Sequence, residues 1–278
     1  MSRALTAVVV TLYASLGTFA QAGELTVTAA INVAKRQDVI VVGETHDNPI
    51  HHFVQKEFSA TIQPIAIVYE MIEQQDEIRL NELRHDGATR EALEKALNWD
   101  TAGWPAFAHY AQIMEVAPNA QIYGAALPRE KVRAAVADGA ATVFGDQAAR
   151  FGLDKPLPPD QQSERESAQM KAHCNALPVE MLSGMVEAQR LRDAALAAAV
   201  IRAKNATGEN GAILVITGNG HADLLQGAPA ALAQAAPDLT VFSFAQLEAE
   251  PDGPVPYDAY HITLPTKRDD PCAAFSKS

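Results

Sequence analysis

The sequence predicts an α/β fold: a mostly parallel central sheet, helices on both faces and a helical cap or subdomain. Three observations point there. Short apolar, β-branched runs recur along the chain, segments with helical spacing separate them almost throughout, and two of the runs end in the same glycine-led turn.

The elements follow in order. Asp38-Val39-Ile40-Val41-Val42-Gly43 is apolar on both faces of a strand, as a buried parallel strand requires. Pro49 follows, and helical spacing covers about 51–62. Residues 65–69 form a second buried strand. Helices are expected over 74–85, 89–97 and 104–116, the last apolar on one side. Gln121-Ile122-Tyr123-Gly124 is a third strand, and Pro128 fits the first turn of the helix after it. Residues 151–160 are rich in Pro and Gly and form a loop. A helical hairpin follows, with a long Ala-rich second arm over 178–204. Residues 211–217 are again a buried strand, and 239–244 and 260–264 are outer strands. The helical stretches 74–116 and 161–204 exceed simple crossovers, so they are assigned to the cap.

The first residues read as an export signal. Arg3 precedes an uncharged stretch that ends in Ala20-Gln21-Ala22, an A-x-A cleavage pattern. The expectation is a signal peptide over 1–22, a domain over 23–264 and a tail over 265–278. The mature protein is then periplasmic or secreted, with no integral membrane segment after cleavage. Cys174 and Cys272 are the two cysteines, and in an oxidising compartment they are a candidate disulfide tying the tail to the body. The formal net charge is −12 and no Lys/Arg run is present, which argues against nucleic acid as a partner.

Two strands end alike. One runs into Gly43-Glu44-Thr45-His46, the other into Gly218-Asn219-Gly220-His221. Ligands of open α/β sheets bind beyond the carboxyl ends of the strands, so neighbouring strands would aim both imidazoles at one spot. Glu70, after the strand 65–69, adds a carboxylate at the same edge. Such groups are costly in an apolar crevice unless they hydrogen-bond, bind metal or share protons. Of His51 and His52, which diverge by roughly 100° around a helix, His52 is preferred as the one facing the crevice. Tyr110, in the aromatic cluster 104–110, is a candidate phenolate ligand for haem iron. Met181, Met185, Arg129 and Arg192 are candidates for an apolar slot and its counter-charges. No P-loop lysine, complete G-x-G-x-x-G or G-x-S-x-G elbow is present.

At these residues the chain resembles the ChaN-like haem-binding family, part of the wider Tiki and erythromycin-esterase superfamily. The resemblance rests on Gly43-Glu44-Thr45-His46-Asp47-Asn48-Pro49 with His51-His52, then Tyr69-Glu70-Met71, Trp104 with Tyr110, and Tyr123-Gly124-Ala125-Ala126-Leu127-Pro128-Arg129. It continues through His173-Cys174 with Leu177-Pro178, residues 187–194, and Gly218-Asn219-Gly220-His221. It implies an exported protein that binds haem at a homodimer interface through a tyrosine, matched here to Tyr110. His46, His52 and His221 would line or support the pocket; from the residues themselves, Arg129 or Arg192 would meet a haem carboxylate. Haem-uptake machinery is a possible partner. The alternative is a hydrolase of esters or peptides in which Glu44, His46, Glu70 and His221 hold a divalent metal ion or act directly as acid and base.

Overall fold

A computed structural model describes residues 22–208, 211–270 and 272–273. Most of the expected signal peptide, residues 1–21, lies outside them. Seven strands form one sheet: β1 (Gly23–Glu24), β2 (Val39–Glu44), β3 (Ala66–Glu73), β4 (Gln121–Ala126), β5 (Ile213–Gly218), β6 (Val241–Leu247) and β7 (Ala259–Ile262). Their order is β1-β7-β6-β2-β5-β3-β4, and each neighbouring pair is parallel. β2 and β5 lie near the middle of this order and are buried along their whole length.

Successive side chains of a strand point to opposite faces, so each central strand feeds two cores. Ile40, Val42, Ile67, Tyr69, Leu214 and Ile216 face one side. They meet α1 (Val27–Ala34), α2 (Pro49–Ile62), α3 (Glu77–His85), α4 (Arg90–Ala96), α5 (Trp99–Ala102) and α6 (Phe107–Glu115). Val39, Val41, Ala66, Val68, Ile213 and Val215 face the other. There they meet α7 (Arg129–Asp138), α8 (Ala140–Phe144), α10 (Leu182–Thr207) and α12 (Ala228–Ala235). α9 (Pro159–Ala172) lies against α10, and the one-turn α11 (Asn219–Ala222) follows β5.

The two long helical stretches assigned to a cap therefore lie on opposite faces of the sheet, and each sends residues up beside the strand ends. α10 has 26 residues, roughly 39 Å of helix, and its Ala194, Ala197, Ala199 and Ala203 are wholly buried. Small side chains at these positions let the helix lie close to the strands beneath it. Local chemistry starts α2: the Asn48 side chain accepts a hydrogen bond from Ile50 N–H, and Pro49 occupies the first turn.

Some boundaries differ from the sequence reading. β3 continues through Glu70 to Glu73, because after a register shift beyond Tyr69 it pairs again with Ala126. Pro128 caps α7 from outside, with extended backbone. β1, α1, α8 and α12 are too short or too Ala-rich for periodicity to reveal. Among the described residues no helix is long and apolar enough to cross a membrane.

Cys174 and Cys272 form the expected disulfide, closing a sequence separation of 98 residues. A cross-link over a loop of this size restricts the unfolded chain and typically stabilises by roughly 2–4 kcal/mol. Replacing both cysteines by serine is expected to lower the unfolding free energy by about that amount in urea denaturation. An unchanged midpoint would show that the tail constrains nothing.

Candidate functional site

β2 and β5 are adjacent and in register, with Gly43 opposite Thr217 and Glu44 opposite Gly218. The two glycine-led turns consequently emerge side by side, as the sequence reading required. Each glycine makes room for the other turn. A Cβ on Gly43 would collide with the Asn219 side chain, and one on Gly218 would stand 3.1 Å from His46 Nε2.

The first turn is organised by Glu44, whose side chain is wholly buried. Its Oε1 accepts hydrogen bonds from His46 Nδ1–H at 2.7 Å and from the Tyr110 hydroxyl at 3.1 Å. Its Oε2 lies 3.1 Å from His52 Nδ1, an ion-pair contact without hydrogen-bond alignment. Burial pushes the carboxyl pKa up, but the two histidines more than offset this and hold it at about 2. His46 keeps Nε2 toward the cavity, and about a third of its side chain is exposed.

The second turn has its own carboxylate, supplied by α10. His221 Nδ1–H donates to Asp193 Oδ1 at 2.6 Å, and the Gln189 amide lies 3.1 Å from the same nitrogen. Burial lowers the His221 pKa, yet Glu70 and Asp193 outweigh it and raise it to about 9. For Asp193 burial dominates and raises its pKa to about 6.

Glu70 stands between the two histidines. Its Oε1 is 3.5 Å from His221 Nε2 and 4.0 Å from His46 Nε2. Its Oε2 accepts from the Thr217 hydroxyl at 2.7 Å and from Gly218 N–H at 2.8 Å. Burial raises its pKa, but His221, His46 and these donors reverse the effect and the net shift is downward. Carboxylate and imidazole thus alternate through Glu44, His46, Glu70, His221 and Asp193.

These groups open into a cavity of about 1310 Å³ at the carboxyl ends of the strands. Leu97, Trp104, Leu127 and Leu196 supply apolar wall, and Arg129, Arg133 and Arg192 supply positive charge. The Trp104 ring packs edge-on to His46 at 5.0 Å.

Glu44, His46, Glu70 and His221 therefore converge, and Arg192 joins them on the cavity wall. His52 does not face the cavity as expected: it is fully buried, contacts Glu44, and donates Nε2–H to the His46 carbonyl at 2.7 Å. Nor does Tyr110 reach the wall. It is fully buried behind Glu44, with its hydroxyl committed to that carboxylate. Burial and the neighbouring negative charge push its pKa far above the usual phenol range. Met181 and Met185 do not line the cavity either. Among the described residues no group of three or more His, Cys, Asp or Glu side chains is arranged to hold a metal ion. The expected four-residue metal set fails on Glu44, whose oxygens face His46, His52 and Tyr110. Sequence reasoning passed over Asp193 and Gln189 as site residues. Their i, i+4 spacing on α10, with Arg192 and Leu196 on the same face, was the available signal.

His221 has a folded-state pKa above its unfolded value. Its contribution to stability is complete below about pH 6.5 and is lost as pH rises through about 9. The melting temperature is expected to fall across that window. The fall should be shallower in His221→Asn, as read by thermal denaturation from pH 6 to 10. An equal slope in both proteins would mean that another group titrates.

The comparisons with known proteins bear on the fold and the family. The solved structure described as cofacial heme binding to ChaN of Campylobacter jejuni superposes with a TM-score of 0.65 at 18% identity. The match covers 84% of this chain and 91% of that one, a likeness of fold. An erythromycin esterase in its open conformation gives a TM-score of 0.41 at 12% identity, over 83% of this chain and 76% of that one. No curated protein matches significantly. The family model for haem-binding uptake, Tiki superfamily, ChaN, matches residues 11–232, and the chain belongs to that family.

Proposed function

We propose that this protein is an exported haem-binding protein serving iron and haem acquisition, and that the cavity beyond β2 and β5 receives the haem. One observation carries the reading. His46 presents Nε2 to a cavity with both apolar and charged lining while a buried carboxylate grips its Nδ1. A histidine ligand to iron is commonly oriented, and made more basic, by an acceptor on its other ring nitrogen. Haem supplies an iron centre and two propionates for recognition. His46 would meet the iron, Trp104, Leu97 and Leu196 would flank the ring, and Arg192, Arg129 or Arg133 would take the carboxylates. Tyr110 acts through Glu44 in this arrangement, so tyrosine ligation gives way to histidine ligation. The Cys174–Cys272 disulfide supports export, since such bonds persist in oxidising compartments. The expected homodimer and uptake machinery belong to the same proposal.

Hemin titration followed in the Soret region tests it. His46→Ala should abolish the shifted band, and Glu44→Gln should weaken binding on the order of 10–100-fold, as loss of a ligand's supporting partner does. Tyr110→Phe should keep the wild-type spectrum. A band lost in Tyr110→Phe but intact in His46→Ala would restore the tyrosine. No band in the wild type would end the haem reading.

A second reading rests on the paired carboxylate–histidine dyads flanking Glu70. Two imidazoles held with Nε2 toward one point can take and return a proton during ester or peptide hydrolysis. If so, a panel of such substrates shows turnover that falls at least about 100-fold in His221→Ala. Turnover indifferent to that change would dismiss it.

A further inference from the structure

The loop that carries His46 is held by the C-terminal segment of the chain. Arg268 forks onto both oxygens of Asp47, at 2.8 and 2.7 Å, and onto both oxygens of Glu248, at 2.6 and 2.8 Å. Asn48 Nδ2 donates to the Leu264 carbonyl at 3.0 Å and to Glu248 Oε1 at 2.7 Å. Thr266 N–H reaches the same Glu248 oxygen. Thr45 is tied less directly: its N–H donates to His51 Nδ1 at 2.7 Å, and His51 Nε2–H donates to the Thr263 hydroxyl at 2.8 Å. Three of the four residues of the loop 45–48 thus depend on the C-terminal segment, and His46 sits among them.

The same segment is fastened at its far end. Cys272 is bonded to Cys174, in the connection between α9 and α10. α10 supplies Gln189 and Arg192 to the cavity wall, and Asp193 behind it to His221. One covalent tie, continued by these hydrogen bonds, therefore joins the α9–α10 connection to the loop that carries His46. Cys174 and Asn175 hold left-handed backbone, with φ of 60° and 56°. Residues with side chains keep that conformation where the surroundings impose it. Both sulfur-bearing residues are partly exposed, so a reductant has access.

We propose that residues 263–270 form a strap that positions His46, with Arg268 as its principal clamp, and that the Cys174–Cys272 disulfide locks the strap. Isolated surface ion pairs contribute little, but a bidentate arginine shared by two carboxylates is a network, and it grips a loop only four residues long. Reduction by a dithiol would break the S–S bond, leave a thiol on each cysteine and convert the reductant to its own disulfide. The strap would then be held by hydrogen bonds alone.

The haem arm of the test rests on the function proposed above; the exchange arm does not. Amide hydrogen exchange at Thr45 and Asn48 would be compared in wild type, Arg268→Ala, Arg268→Lys and dithiothreitol-reduced wild type, with two thiols per chain confirmed in the last. The strap predicts at least about tenfold faster exchange in Arg268→Ala and in the reduced protein, with partial recovery in Arg268→Lys. Hemin affinity should drop about tenfold in parallel, with a shifted Soret maximum. Unchanged exchange in Arg268→Ala overturns the strap, and unchanged exchange after reduction overturns the lock. Should Arg268→Ala fail to fold, Arg268→Lys judges the strap, exchange as slow as wild type overturning it, and the reduced wild type judges the lock. If wild type shows no Soret band, the haem reading falls and the exchange data still judge the strap.

Discussion

A carboxylate buried without exposure, Glu44, sets the terms for everything around it. An ionised group in that position is tolerable only if surrounding donors replace the water it has lost. The donors are His46 in its own turn and Tyr110 on α6, and His52 on α2 adds an ion-pair contact. The demand of one charge thus ties the sheet edge to two helices. It also fixes the His46 ring, because Nδ1 must serve Glu44 and Nε2 is left for the cavity.

The second turn meets the same problem with different material. His221 takes its carboxylate from α10, a helix packed on the other face of the sheet. Glu70 is then enclosed by imidazoles on one oxygen and by Thr217 and Gly218 on the other. In a poorly solvated setting such alternation is stable where isolated charges would not be. A ligand entering the cavity meets two oriented histidines at its floor, with arginines and apolar walls above them.

Much of this was legible in the residues. The apolar run Val39–Val42 and the run 211–217 read as buried strands, and the repeated glycine-led turns pointed to their shared edge. Convergence of Glu44, His46, Glu70 and His221 follows once those strands are neighbours. The roles of individual side chains were harder. His52 and Tyr110 are suitable ligand types, and nothing in their local sequence says that Glu44 claims them first.

The chain's own pattern determined the layered α/β architecture, the parallel strands and the edge at which the chemistry gathers. These depend on hydrophobic period and turn residues, which act over a few positions. Tertiary structure alone decided which groups face the cavity and which stand behind it. Asp193 reaches His221 across 28 residues, Tyr110 reaches Glu44 across 66, and Arg268 reaches Asp47 across 221. Hydrogen bonds select partners by distance and direction in space, and neither can be read along the chain until the fold has closed it.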